Sequence, residues 1–221
     1  MTHWTPDSRI AAVDALLQRA PVLPVLNIER IEHAVPLARA LVAGGLPVLE
    51  VTLRSAAALD AIARIRAEVP EAIVGAGTVL TPADLDDVTF AGAAFAISPG
   101  ATEALYDAAV GARIPFIPAV ATASELMGGL AREHHRFKFF PAAAAGGIAA
   151  LKAFAGPFPQ ARFCPTGGIG IDSAGAYLAL GNVITVGGSW MAPGDAVDRG
   201  DWARITALAA DCAALRAASP R

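Results

Sequence analysis

The sequence holds little of what several common protein classes require. It has only two cysteines, Cys164 and Cys212, and they form no C-x-x-C pair, which argues against a disulfide framework. No stretch of about 18 residues is free of both charge and helix breakers, so we predict no membrane-spanning helix. The first 20 residues lack a basic region followed by an apolar run. We therefore expect no signal peptide and a cytoplasmic protein with both cysteines in its core.

Patterns for binding metals and nucleic acids are missing as well. The four histidines form no H-x-H or H-x-x-E-H motif and the acidic residues do not cluster, so we predict no metal and no cofactor. His134 and His135 directly precede an apolar run, and we predict that both are surface residues. The net charge is −3 and the basic residues are scattered, which argues against a nucleic-acid partner.

What the sequence does contain is short apolar runs at regular spacing, separated by helical patterns. A hydrophobic content of 55% is sufficient for one large core. Eight of the runs predict strands that are almost continuously apolar, which is typical of a parallel sheet covered by helices on both faces. The predicted strands are residues 22–28, 47–53, 72–79, 95–100, 115–120, 136–142, 162–168 and 183–189.

Eight strand–helix units predict an α/β fold, a single (β/α)8 TIM barrel near the lower size limit of that fold. Residues 1–221 are expected to form one domain, because no linker divides them, and residues 7–20 predict an extra N-terminal helix across the barrel bottom. Ser55 and Thr81 are predicted helix N-caps. An open doubly wound sheet is the alternative fold, but it usually has fewer strands, and no G-x-G-x-x-G follows the first strand.

Two charged residues lie within the predicted strands. Lys138 stands between Phe137 and Phe139 in the sixth strand, where a lysine charge without a partner is costly to bury. Alternation along the second strand directs Glu50 into the barrel, because the residues of opposite parity are all apolar and suit the helix layer. If Lys138 also points inward, an amine and a carboxylate share one apolar enclosure.

Strand parity alone leaves two interpretations of this pair open. In the first, Lys138 and Glu50 form a salt bridge that holds two strands together. Ion-pair networks in proteins also serve such structural roles. In the second, Lys138 forms a Schiff base with a carbonyl substrate and Glu50 is a nearby general acid/base. An apolar enclosure favours the neutral amine, which is the nucleophilic form.

The C-terminal ends of the strands provide further candidates, because barrel active sites lie at those ends. The seventh and eighth strands end in the segments CPTGGIG and VGGSW, where barrels commonly bind phosphate through backbone N–H groups. One glycine pair can be merely a tight turn, but two pairs at these ends favour an anion site. The predicted substrate-binding residues are Arg54, Thr78, Pro99, Phe140, Thr166, Gly167, Gly168, Gly188 and Ser189.

Several motifs, taken in order, closely resemble those of the 2-keto-3-deoxy-6-phosphogluconate aldolases, also called 4-hydroxy-2-oxoglutarate aldolases. The resemblance runs nearly end to end and includes VLEVTLR, FAISPG, FKFFPA, RFCPTGGI and VGGSW. It implies a class I aldolase on a trimeric (β/α)8 barrel, acting in the Entner–Doudoroff pathway. The expected products are pyruvate with glyceraldehyde 3-phosphate from the phosphorylated substrate, and pyruvate with glyoxylate from 4-hydroxy-2-oxoglutarate.

The same resemblance implies a role for each matched residue. It makes Lys138 the Schiff-base lysine and Glu50 the acid/base. Carboxylate recognition falls on Arg54 and Thr78, phosphate contacts on Gly167, Gly168 and Ser189, and the pocket walls on Pro99 and Phe140. The chain departs from the family pattern at Ala143, often acidic in the family, and at Ala119, where glycine is expected.

Two other functions are weighed against the aldolase. The first is a phosphosugar isomerase or synthase on the same barrel, with Lys138 as a cationic acid and no imine. The second is a barrel that binds a phosphorylated ligand without turnover, in which the pair of Lys138 and Glu50 is structural. Trapping of an imine distinguishes the aldolase from both.

Overall fold

Parallel strands form the centre of the protein in a computed structural model that describes residues 4–215. The strands are β1 (Val22–Leu26), β2 (Val48–Thr52), β3 (Ile73–Gly77), β4 (Ala96–Ile97), β5 (Phe116–Ile117), β6 (Ala119–Val120), β7 (Arg136–Phe139), β8 (Arg162–Pro165) and β9 (Val186–Gly188). Six of them form one curled sheet in the order β5-β4-β3-β2-β1-β9, and three form a second sheet in the order β6-β7-β8.

Helices alternate with the strands, as the spacing of the apolar runs predicts, and a short 3-10 helix (Ile31–His33) precedes the second of them. The α-helices are α1 (Pro6–Leu17), α2 (Ala34–Ala43), α3 (Ala58–Glu68), α4 (Pro82–Phe90), α5 (Glu103–Gly111), α6 (Ala123–Ala131), α7 (Gly147–Ala155), α8 (Ile171–Leu178), α9 (Gly194–Arg199) and α10 (Trp202–Ala214). Among residues 4–215, no helix is both long and apolar enough to cross a membrane.

Each of the eight predicted strand segments contains β-structure, although the fifth is divided. Pro118 separates β5 from β6 because it has no N–H to donate, yet its carbonyl accepts from the Lys138 N–H at 2.9 Å. Isolated parallel bridges pair Phe163 with Val183 and Thr166 with Gly187, and so connect β8 to the segment that contains β9. The parallel α/β prediction is thus confirmed, with shorter strands than expected.

The predicted extra helix is present as α1, which packs against the N-terminal ends of the strands. The apolar cluster between α1 and the strands contains Val13, Leu17, Leu23, Val48, Phe95, Ile97, Ile117 and Cys164. Arg136 at the start of β7 binds Asp14 of α1 through two hydrogen bonds, Nε to Oδ1 at 2.5 Å and Nη2 to Oδ2 at 2.6 Å. This bidentate pair attaches α1 to β7.

The two predicted helix caps have different outcomes. Thr81 caps α4 as expected, because its hydroxyl accepts from the Asp84 N–H at 3.1 Å and the Asp84 carboxylate accepts from the Thr81 N–H. The prediction for Ser55 is wrong. Helix α3 begins only at Ala58, and the Ser55 hydroxyl instead donates to the Ile28 carbonyl at 2.5 Å. Ser55 therefore ties the loop after β2 to the chain after β1.

His134 is buried, which corrects the prediction of a surface position. It is 3% exposed, and its ring lies 5.2 Å from that of Tyr106 and 6.0 Å from that of Phe116, measured between centroids. Burial, with smaller contributions from the charge of Arg9 and from His135, lowers the pKa of His134 to about 3. The His134 imidazole is therefore neutral at pH 7, and His134 packs as a small aromatic residue of the core.

This buried neutral histidine predicts a loss of stability in acid. The pKa of His134 is lower in the folded protein than its value of about 6.5 in the unfolded chain, so the unfolded chain binds the proton more tightly. The free energy of unfolding should therefore fall as the pH drops below about 6.5, by at most about 1.4 kcal/mol per pH unit from this group.

His134→Gln should flatten this dependence, because glutamine has no proton to bind in this range. Urea unfolding at several pH values between about 7 and about 4 measures the slope in both proteins. His33→Gln, a histidine substitution outside this cluster, serves as the control. An equally steep fall in His134→Gln would contradict the prediction.

Candidate active site

A buried lysine and a buried glutamate meet between the two sheets. Lys138 in β7 is 6% exposed and Glu50 in β2 is 1% exposed. The Lys138 Nζ donates to the Glu50 Oε1 over 2.8 Å. The structure thus brings together two residues that are 88 positions apart in the sequence.

One of the two Glu50 oxygens is not used by the protein. Oε1 accepts from Lys138, whereas Oε2 is buried and has no hydrogen-bond partner among the described residues. A buried acceptor without a partner is costly, and in native proteins each such atom calls for an explanation. Oε2 is therefore available to bind a hydroxyl group or a water molecule beside the amine.

Gly77 at the end of β3 provides the space for this carboxylate. A Cβ atom on Gly77 would overlap with Glu50 Oε1 and would lie 2.7 Å from Glu50 Cγ. The next residue, Thr78, is half-buried and has φ of 61°, a left-handed conformation that non-glycine residues seldom adopt. Strained backbone of this kind clusters at binding sites. Sequence reasoning selected Thr78 but missed Gly77.

The remaining surroundings of the amine are weakly polar. The Phe140 ring centroid lies 5.6 Å from Lys138 Nζ, and Cys164 is paired with Lys138 in the register of β7 and β8. Burial raises the pKa of Cys164 to about 12, against a smaller lowering by the Lys138 charge, so the thiol stays protonated. Cys164 is thus a neutral neighbour of the amine, and Glu50 is the hydrogen-bond partner of the amine.

Arg54 is held by a chain of hydrogen bonds at the end of β2. Its Nε donates to the Thr52 Oγ1 at 3.0 Å, and the Thr52 hydroxyl donates to the Leu26 carbonyl at 2.8 Å. Arg54 and Ser189 both line a cavity of about 550 Å³ that lies over the ends of β1, β2 and β9. Lys138 and Glu50 are not part of the cavity lining.

The glycine pair after β8 requires glycine for its backbone. Gly167 and Gly168 have φ of 104° and 73°, in the left-handed region. The carbonyls of Thr166 and Gly167 accept from the N–H groups of Ala142 and Ala143, at 2.8 and 3.0 Å. A Cβ atom on Gly168 would lie 2.6 Å from the Ala143 Cβ. Ala143, one of the two departures from the family pattern, thus packs directly on the predicted phosphate loop.

The glycine pair at the end of β9 is explained by close packing. A Cβ atom on Gly187 would overlap with the Thr166 hydroxyl, and one on Gly188 would overlap with the Trp190 ring. Ser189 is exposed at the rim of the cavity, and Pro99 is half-buried after β4. The sequence argument did not select Trp190, although a tryptophan two residues after a glycine-rich strand end was a visible signal.

Metal ligands do not gather at this site. Within residues 4–215, no three His, Cys, Asp or Glu side chains are arranged to hold a metal ion. A lysine amine hydrogen-bonded to one buried carboxylate, inside parallel strands, has the geometry of a nucleophile beside its base, as in enzymes that attack a carbonyl with a lysine.

Comparison with known proteins agrees with this class. The family model of the KDPG and KHG aldolases matches residues 13–208, and the chain belongs to that family. The KHG/KDPG aldolase of Escherichia coli strain K12 is 57% identical over 95% of this chain and 96% of its own length. The 2-dehydro-3-deoxy-phosphogluconate aldolase of Dickeya dadantii is 56% identical, over 97% and 98%.

A solved structure of high similarity is the KDPG aldolase of Legionella pneumophila, in which pyruvate is captured as a covalent carbinolamine. It is 48% identical, covers 95% of this chain and 98% of its own, and superimposes with a TM-score of 0.89. Aldolases of this kind are carbon–carbon lyases, and this protein is one of them.

Gly77→Ala should lower turnover, because the new methyl group displaces the Glu50 carboxylate from Lys138. We expect a fall of roughly 10- to 100-fold in the rate of pyruvate release, part of the full effect of losing an acid/base group. Gly181→Ala is the matched control, since a Cβ atom there meets no atom within 4 Å. Wild-type turnover in a folded Gly77→Ala protein would contradict the claim that Gly77 makes room for the Glu50 carboxylate beside Lys138.

Proposed function

We propose that this protein is a class I aldolase that cleaves 2-keto-3-deoxy-6-phosphogluconate to pyruvate and glyceraldehyde 3-phosphate. We propose 4-hydroxy-2-oxoglutarate, which gives pyruvate and glyoxylate, as a second substrate. The observation that carries the proposal is the buried contact of 2.8 Å between Lys138 Nζ and Glu50 Oε1. The names of the relatives and the carbinolamine in the Legionella pneumophila enzyme support it.

The first half of the mechanism forms an imine on Lys138. The short contact lets a proton pass from Nζ to the Glu50 carboxylate, which leaves a neutral amine. The amine attacks the keto carbon, C2, and gives a carbinolamine. Loss of water from the carbinolamine, with the proton supplied by Glu50, gives an iminium that withdraws electrons from the neighbouring bonds.

The second half breaks the bond between C3 and C4. Glu50 accepts the proton of the C4 hydroxyl, directly or through one water, at the Oε2 atom that has no protein partner among the described residues. The electrons of the C3–C4 bond move into the iminium to form an enamine, and the aldehyde leaves. Glu50 then returns this proton to C3 of the enamine, which gives an iminium. Hydrolysis of this iminium releases pyruvate and regenerates the amine of Lys138.

Residues around the pair bind the two ends of the substrate in this proposal. The carboxylate of the 2-oxo acid lies against Arg54 and Thr78, since arginine can donate two hydrogen bonds to a carboxylate. The phosphate lies against the glycine-rich ends of β8 and β9, where backbone N–H groups can approach an anion closely; after β8, Gly167 and Gly168 have left-handed backbone. The residues assigned to the phosphate and the walls are Thr166, Gly167, Gly168, Gly188, Ser189, Pro99 and Phe140.

The finer architecture belongs to the same proposal. We propose that residues 1–221 form one domain and that the two sheets together make a closed (β/α)8 barrel. The bridges between β8 and the β9 segment, and the single proline between β5 and β6, support closure. A homotrimer and a role in the Entner–Doudoroff pathway follow from the family resemblance, and a cytoplasmic location follows from the two free cysteines. Sedimentation velocity tests the trimer.

Reduction with borohydride in the presence of pyruvate should label Lys138. Borohydride converts an imine to a stable secondary amine, so peptide mass spectrometry should find a pyruvate-derived adduct on this residue. Lys138→Arg keeps the positive charge but cannot form the imine, and it should show no adduct. A folded wild-type protein without an adduct would contradict the proposal and favour the isomerase or the binding protein.

Glu50→Gln should lower turnover by roughly two to four orders of magnitude, because it removes the group that accepts and returns the C4 proton. Glu103→Gln is the matched control, since that carboxylate is exposed and pairs only with Arg132 among the described residues. The rate of aldehyde formation measures the effect. Near-normal turnover in Glu50→Gln would remove Glu50 from the mechanism.

A further inference from the structure

We propose that Thr52 is a positioning residue that orients Arg54 for the carboxylate of the substrate. The inference rests on the proposed function, in which Arg54 binds that carboxylate. Thr52 is the last residue of β2 and follows Glu50 by two positions, so it lies on the same face of the strand. It is 2% exposed, and its hydroxyl oxygen accepts a hydrogen bond from the Arg54 side chain.

The hydrogen of the Thr52 hydroxyl has a fixed direction. A threonine hydroxyl carries one hydrogen and two lone pairs. The hydrogen is donated to the Leu26 carbonyl of β1, at 2.8 Å. A lone pair is therefore left to accept from the Arg54 Nε–H at 3.0 Å, and this polarity is the one that a guanidinium requires.

This attachment determines which donors of Arg54 are available to a ligand. A guanidinium has five N–H donors, of which one is on Nε and four are on the two terminal nitrogens. Within residues 4–215, the Nε–H bond to Thr52 is the one hydrogen bond of the Arg54 side chain, and the side chain forms no salt bridge. The terminal nitrogens are thus left to bind a carboxylate end-on.

An exposed arginine that is held in this way loses less freedom when a ligand binds. Arg54 is exposed and lines the cavity with Ser189, so without an attachment its long side chain would sample many rotamers. Fixing Nε in advance reduces the ordering that ligand binding must otherwise impose. Thr52 should therefore affect the affinity for carboxylates more than the reaction at Lys138.

The alternative is a purely structural role for Thr52, in which its hydroxyl only satisfies the Leu26 carbonyl. Loss of the hydroxyl would then lower stability, because its buried hydrogen bond to the Leu26 carbonyl is lost. A loss of stability of this kind would weaken the trapping of Lys138 by every carbonyl ligand to a similar degree. Comparison of a ligand that has a carboxylate with one that lacks it separates the two roles.

The experiment uses borohydride trapping of Lys138 as a function of ligand concentration, with pyruvate and with methyl pyruvate, which has no carboxylate. In Thr52→Val, the pyruvate concentration for half-maximal trapping should rise roughly 3- to 10-fold, the effect of one hydrogen bond on an equilibrium. Maximal trapping and the value for methyl pyruvate should stay as in the wild type. Thr52→Ser, which keeps the hydroxyl, should match the wild type for both ligands.

A double-mutant cycle with Arg54→Ala tests whether Thr52 acts through Arg54. In the Arg54→Ala background, Thr52→Val should have no further effect on pyruvate. An additive effect, an unchanged pyruvate value in Thr52→Val, or equal losses with both ligands would overturn the inference. Thr52→Ala takes the same test if Thr52→Val does not fold. A wild-type protein that is trapped by neither ligand would overturn the proposed function and this inference with it.

Discussion

The contact between Lys138 and Glu50 is an expensive interaction, and much of the structure is arranged around it. Both charges are removed from water, and the loss of hydration offsets much of their attraction, so a well-packed apolar pair would often be as stable. The pair depends on β2 and β7 lying opposite each other and on a glycine at position 77. The cost is understandable if the amine must exchange its proton with a nearby carboxylate.

Features with a fixed period along the chain were predictable from the sequence. Strand alternation repeats every two residues, and this period is enough to assign Glu50 to the inward face, because the residues of opposite parity in its strand are all apolar. The glycine-rich ends after β8 and β9 were predictable because left-handed backbone and close contacts both select glycine. Thr81 followed from local chemistry, since a capping box lies within four consecutive residues.

Features that depend on distant contacts were not predictable in this way. His134 is buried because Tyr106, Phe116 and Arg9 surround it, and these residues are 18 or more positions away. Ser55 fails as a cap because the Ile28 carbonyl, 27 positions earlier, takes its hydroxyl. The role of Gly77 appears only once the Glu50 carboxylate is seen to occupy the space beside it. A single sequence carries no marker for such pairings.

The packing of Thr166 against Gly187 limits how this site can change during evolution. Gly187 has no left-handed φ, and the three atoms nearest to a Cβ at this position all belong to the Thr166 side chain. A larger residue at position 187 is therefore accessible only after position 166 has become smaller. The two strand ends that form the predicted phosphate site thus share one volume, and mutations there must arise in a fixed order.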